Sequence, residues 1–198
     1  MAHIGILGGT FNPPHIGHLV CAQEACAALG LDRVVLMPAG TPPHKEVVDE
    51  PGAQHRLEMC MLAAAADHRL EASDREVRRV GPSWTVDTLR EIHAASPGDQ
   101  LTFLVGGDMA HSLPGWRDPE AILELAGLGV AERTGTSRQD VESALAPLRG
   151  SGRVRFFDMP TIDVSSTGVR RRVRDGRPIR WLVPEAVLEY IATQRLYA

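Results

Sequence analysis

The sequence predicts an α/β protein built on an open, mainly parallel sheet with helices on both faces. Apolar runs of strand length alternate with longer stretches of helical period along the 198 residues. Parallel strands joined by helical crossovers leave that pattern. Several of the short runs, such as "IGIL" and "VVLM", are wholly apolar, as strands covered on both faces are. The segment "GGTFNPPHIGH" separates the first such run from the first helical stretch. There, beyond the carboxyl ends of its strands, an open parallel sheet takes its ligands.

Taken in order, strands are predicted at 3–7, 33–37, 101–105, 127–131 and 153–157, with a further one within 69–80. The first helix is expected from about Gly17 to Leu29, because Leu19, Val20, Ala22, Ala25, Cys26 and Leu29 recur at helical spacing. Gly30 follows as a terminating left-handed residue. A second helix is predicted over 54–66. A third begins near Ser83, taken as its N-cap, and turns Val86, Leu89 and Ile92 inward. Asp118–Pro119 opens another, with proline in the first turn. "STGVRRRVRDG" and "VPEAVLEYIATQRLYA" read as two helices separated by "GRPIRWL". "AERTGTSRQD" and "AGTPPHKEVVDEPG" read as surface loops rather than linkers. The expected organisation is one domain over residues 1–198, with a helical part from about residue 165 packed on it.

Composition excludes several classes. With 43% hydrophobic and 23% charged residues, the chain fits a folded protein with a sizeable core. A formal net charge of -4 argues against a phosphate-tracking nucleic-acid surface. No apolar run reaches membrane-spanning length, and the start shows no secretory leader. The expectation is a cytoplasmic protein without nucleic-acid or membrane partners, for which a homo-oligomer is compatible. Cys21, Cys26 and Cys60 form no CxxC pair and read as reduced, mostly buried thiols.

The turn after the first strand is suited to an anion. Gly8 and Gly9 remove side chains where phosphates would approach the backbone. The helix start just beyond offers N–H groups and a partial positive charge. The sequence carries neither GxGxxG nor GK[ST], so the dinucleotide and P-loop readings lose their support. His15 and His18 bracket the helix start with Gly17 between them. Imidazole N–H groups there make strong bonds to phosphoryl oxygens. Zinc would require a third ligand, and helical zinc pairs sit four apart; no metal-ligating residue is assigned. Near the other end, Ser165, Ser166 and Thr167 read as the N-cap and first turn of a helix, with Arg170 one turn on. Hydroxyls, backbone N–H groups and a guanidinium would form a second anion pocket there.

Together, "GGTFNPPHIGH" and "SSTGVR" resemble the paired signatures of the HxGH nucleotidyltransferases. "PPHK", "GPSWTVDTLR" and "GGDMAHSLPGWRDPEAIL" extend the resemblance, in order and over essentially the whole chain, to the bacterial nicotinate-nucleotide adenylyltransferases. This implies a Rossmann-like sheet of the nucleotidyltransferase type. It also implies transfer of AMP from ATP to nicotinate mononucleotide, giving deamido-NAD and pyrophosphate in NAD biosynthesis. By similarity, His15, His18 and Arg170 are catalytic. Gly8, Gly9, Thr10, Phe11, Gly106, Asp108, Arg133, Ser166 and Thr167 join them around ATP. In the same way His44, Lys45, Thr85 and Trp116 bind the second substrate, with Trp116 under the pyridine ring and Thr85 near its carboxylate. Mg²⁺ arrives with ATP, held mainly by phosphates.

The chain departs from that family's pattern at Asn12, where many relatives have Asp, at Trp84, where Tyr is frequent, and at Thr134, where Pro follows the arginine. Asn12 reads as a local turn-stabilising exchange. "HIGH" also resembles class I aminoacyl-tRNA synthetases, which need a longer chain and a lysine-rich partner loop. Preference for nicotinamide mononucleotide or phosphopantetheine, or a nucleotide sensor without turnover, are the competing functions.

Overall fold

The computed structural model describes residues 1–43, 48–132 and 135–198. The elements run β1 (His3–Gly9), α1 (Ile16–Leu29), β2 (Arg33–Pro38), α2 (Ala53–Ala64), β3 (Leu70–Ala72), α3 (Arg75–Arg78), α4 (Thr85–Ala95), β4 (Gln100–Gly106) and α5 (Gly107–Ser112). They continue with α6 (Pro119–Leu125), β5 (Gly127–Glu132), α7 (Arg138–Leu145), β6 (Val154–Asp158), α8 (Ser166–Arg174) and α9 (Glu185–Thr193). Among the described residues the strands form one six-stranded sheet in the order β3-β2-β1-β4-β5-β6. In this doubly wound order the direction of winding reverses at the β1/β4 pair, the topological switch point.

The chain divides into two compact units. The first comprises Met1–Gly8, Cys21–Val35 and Trp84–Thr161. In it, β4 pairs in parallel with both β1 and β5, and β5 with β6. The register Leu7↔Leu104 brings the carboxyl ends of β1 and β4 side by side. Ile4, Ile6, Leu101, Leu104, Leu128 and Val130 are buried, and the consecutive buried positions along β4 and β5 mean that both faces of these strands are covered.

The second unit comprises Gly9–Val20, Leu36–Ser83 and Ile162–Ala198. Its core joins Met59 and Ala63 of α2 to Val169 of α8, Val187 and Ile191 of α9, and Ile179, Val183 and Leu196 between and beyond those helices. The helical part at the carboxyl end is thus packed by an apolar face of α2.

The predicted helices and strands are present with shifted ends, and three expectations are corrected. Ser83 does not cap α4. Trp84 holds the N-cap position without a side-chain cap bond, while the Ser83 hydroxyl accepts the N–H groups of Gly40 at 2.9 Å and Thr41 at 3.3 Å. The strand sought within 69–80 is only β3, and the acidic and basic residues that follow it form the short helix α3. "AERTGTSRQD" is not wholly a loop, because Ser137 caps α7. The Ser137 Oγ accepts the Asp140 N–H, and the Asp140 carboxylate accepts the Ser137 N–H. The Ser-x-x-Asp spacing of this capping box was the missed signal.

Candidate active site

In the second unit, the turn between β1 and α1 is held in an unusual shape. Phe11 is left-handed at φ 50 and 2% exposed, a conformation that costs a bulky residue about 1–3 kcal/mol and points to a local function. Its ring meets that of His18 edge-on at 4.9 Å. The bond between Asn12 and Pro13 is cis.

The two histidines are brought face to face, with ring centroids 3.8 Å apart and planes inclined by 29°. The His15 backbone N–H donates to His18 Nδ1 at 3.1 Å. That nitrogen must therefore accept, so the proton of a neutral His18 ring sits on Nε2 and makes it the donor. Gly17 leaves room beside them: a Cβ there would lie 3.1 Å from the His15 ring, tighter than ordinary contact. A larger residue there would require the His15 ring to give by a few tenths of an ångström.

The "SSTGVR" signature reaches the same turn. Ser165 caps α8 by accepting the Gly168 N–H at 3.1 Å, as its sequence position predicts. The Ser166 hydroxyl donates to the Pro13 carbonyl at 2.8 Å. Arg170 is buried to 7% exposure; its Nη1 donates to the Asn12 carbonyl at 2.9 Å and its Nε to Asp49 Oδ2 at 3.2 Å. Thr167 lies exposed on the first turn of α8. Arg170 and Ser166 thus hold the backbone just ahead of His15.

Asn12 is no local turn-stabiliser. Its side-chain amide donates to the carbonyls of Val48 at 3.1 Å and Asp49 at 3.3 Å, and its Oδ1 accepts the Tyr197 hydroxyl at 2.6 Å. A carboxylate at this position could accept from Tyr197 but could not donate to two carbonyls. Asp49 binds Arg174 as well, at 2.8 Å, and hydrogen bonds from Arg170 and Arg174 hold its carboxyl below the usual carboxylate range. Asp49 and Tyr197 carry no motif, and chain separation hid both from the sequence.

Burial pushes the Tyr197 phenol well above its ordinary value, which is about 10. The folded chain keeps Tyr197 neutral while the unfolded chain ionises it, so this contribution to stability is present below about pH 10 and falls as pH rises further. The melting temperature of the wild type is expected to decline more steeply above pH 10 than that of Tyr197→Phe. Parallel slopes in a pH series of thermal melts would show that the buried phenol has no such role.

The first unit carries the other predicted residues. Gly8 lies in β1 beside the Phe103 ring, where a Cβ would sit 3.3 Å from an aromatic carbon. Gly106 closes β4, and Asp108 is exposed in the first turn of α5. Trp116 is fixed on two sides. Its indole N–H donates to the Ser112 hydroxyl at 3.1 Å, and its ring meets Phe103 edge-on at 6.0 Å. Thr85 begins α4, whose start has no side-chain cap. Gly9 is the last residue of β1 and Thr10 the first of the turn after it, both in the second unit. His44, Lys45 and Arg133 lie outside the described residues.

Comparison with known proteins identifies the family. Residues 6–172 match the Cytidylyltransferase-like family, a span that runs across both units. A protein of Synechococcus sp. (strain JA-3-3Ab), named "Probable nicotinate-nucleotide adenylyltransferase", is 43% identical over 98% of this chain and 94% of its own. Similarly named proteins of Citrifermentans bemidjiense and Thermomicrobium roseum are each 42% identical, over 98% and 100% of this chain and 97% and 92% of theirs. The chain belongs to the nicotinate-nucleotide adenylyltransferase family. The fold agrees too: the structure of Plasmodium falciparum nicotinic acid mononucleotide adenylyltransferase complexed with NaAD superposes with a TM-score of 0.80, covering 100% of this chain and 98% of that one at 17% identity. At that identity the likeness concerns the fold alone. Among the described residues, no helix is long and apolar enough to cross a membrane.

Proposed function

We infer that the chain transfers AMP from ATP to nicotinate mononucleotide, forming deamido-NAD and pyrophosphate in NAD biosynthesis. The observation that carries the reaction class is the fastening of Ser166 and Arg170 to Pro13 and Asn12, immediately before the stacked His15 and His18. The choice of acceptor rests on the family.

The chemistry suits these residues. The 5′-phosphate of the mononucleotide carries close to two negative charges at neutral pH, so it needs no general base. One of its oxygens attacks the α-phosphorus of ATP, the bond from that phosphorus to the bridging oxygen breaks, and pyrophosphate leaves with the electron pair. Charge repulsion is the obstacle, and catalysis is positioning plus electrostatic stabilisation. His15 and His18 would donate to the phosphates, His18 through Nε2 at the reacting group. Ser166, Thr167 and Arg170 would hold the departing pyrophosphate. Gly8, Gly9, Thr10 and Phe11 shape the turn, while Gly106, Asp108 and Arg133 serve the nucleoside of ATP. His44 and Lys45 reach anionic oxygens of the mononucleotide, Trp116 its pyridine ring and Thr85 its carboxylate. Mg²⁺ is part of the ATP substrate, coordinated by phosphate oxygens and water. The whole chain acts as one cytoplasmic nucleotidyltransferase domain on small nucleotides, without a nucleic-acid partner, alone or as a homo-oligomer.

Parallel assays of pyrophosphate release with nicotinate mononucleotide, nicotinamide mononucleotide and phosphopantetheine test this reading. The fastest turnover is expected with the first, yielding deamido-NAD. Faster turnover with either alternative would reassign the acceptor. ATP binding with no release from any of the three would make the chain a nucleotide sensor.

A further inference from the structure

We propose that Arg56 is a positioning residue for the nucleotide-binding turn, an inference that rests on the function proposed above. Arg56 stands in the first turn of α2 and is 1% exposed. Its Nη1 donates to the carbonyls of Thr10 at 2.9 Å and Ala39 at 2.6 Å, and its Nη2 donates to that of Gly40 at 3.1 Å. Nε donates to Glu50 at 3.0 Å. One guanidinium therefore joins the turn after β1 to the segment after β2 and to Glu50 ahead of α2.

A buried cation is costly even when paired, and an apolar residue of similar volume often stabilises a fold better. Position 56 falls on the inward stripe of α2 with Met59, Cys60 and Ala63, where a methionine or leucine would pack. What the arginine adds is geometry: its donors lie in a rigid plane and fix several acceptors at set angles. One of those acceptors, the Thr10 carbonyl, belongs to the turn that leads to His15 and His18. Thr10 immediately precedes Phe11 with its left-handed backbone. Gly9 is tied to the same segment after β2 by the Ala39 N–H at 2.9 Å. Gly40 packs closely on its other side, where a Cβ would come within 2.2 Å of the Glu76 carbonyl oxygen and only glycine fits. Arg56 thus ties Thr10, and through it the turn that bears His15 and His18, to the closely packed segment at Ala39 and Gly40.

Arg56→Lys keeps the charge and loses the planar fork. At a temperature where both proteins are folded, calorimetric affinity for ATP is expected to fall about tenfold or more, since small misplacements of a site are amplified in this way. kcat/KM for ATP should fall with it, and KM for nicotinate mononucleotide should stay within about twofold of wild type. A lower melting temperature with unchanged ATP affinity and turnover would reduce Arg56 to a structural residue and overturn the proposal.

Should Arg56→Lys not fold, Glu50→Ala decides. Glu50 is a partly exposed partner whose loss frees the Nε end of the fork, and ATP affinity about threefold weaker is expected; wild-type affinity there overturns the proposal. A wild-type chain that fails to bind ATP overturns both this inference and the proposed function. A wild type that binds ATP without turning over overturns the function alone.

Discussion

His18→Ala is expected to lower turnover by about a hundredfold or more, the scale of removing one preorganised donor from a developing charge, with ATP affinity falling much less. The expectation follows from orientation. The His15 backbone N–H occupies Nδ1 of His18, so Nε2 is the donor without any need for the ring to search among tautomers. The rings of Phe11 and His15 flank it at 4.9 and 3.8 Å, fixing its plane before substrate arrives. Preorganisation of this kind favours the transition state over the ground state, so the loss should appear in kcat. His18 lies partly exposed on the first turn of α1, and the alanine variant should fold. Single-turnover measurements on a folded His18→Ala protein decide the point: chemistry within a few-fold of wild type would remove the mechanism.

Arg170→Ala should lower turnover by about a thousandfold, the range known for an arginine that meets a transferring phosphoryl group. Pyrophosphate-dependent reversal of the reaction should fall in parallel, because the same guanidinium would grip pyrophosphate in either direction. The variant should also melt at a lower temperature, since the Asn12 carbonyl loses a charged donor. Collapse is not expected, because Asp49 keeps its bond to Arg174 at 2.8 Å, and its charge remains paired. A folded Arg170→Ala with forward and reverse rates within tenfold of wild type would confine Arg170 to bracing the turn.

Both predictions concern residues that the sequence singled out, and the reason is local. Gly8 and Gly9 at the end of β1 and the spacing of His15, Gly17 and His18 are written in one strand-turn-helix segment. Ser165 as the N-cap of α8 is likewise a property of its immediate neighbours. Ser83 and Asn12 differ because their partners lie in distant segments. Ser83 has the right chemistry for a cap, but its hydroxyl is taken by Gly40 and Thr41, residues far away in the chain. Asn12 has the chemistry of a turn former, yet its amide is spent on Val48, Asp49 and Tyr197.

From its sequence alone, this chain determined an alternating α/β sheet, an anion-binding turn at the end of its first strand and a capped, arginine-bearing helix near its far end. Hydrophobic period, glycine placement and capping chemistry are short-range properties, and each is written in neighbouring residues. Only the tertiary structure decided which side chains support that turn: Arg56 beneath Thr10, Tyr197 on Asn12, and Asp49 between Arg170 and Arg174. A buried polar group must find a partner wherever the fold supplies one. That pairing is settled by how distant segments pack, so it leaves no mark in any single stretch of sequence.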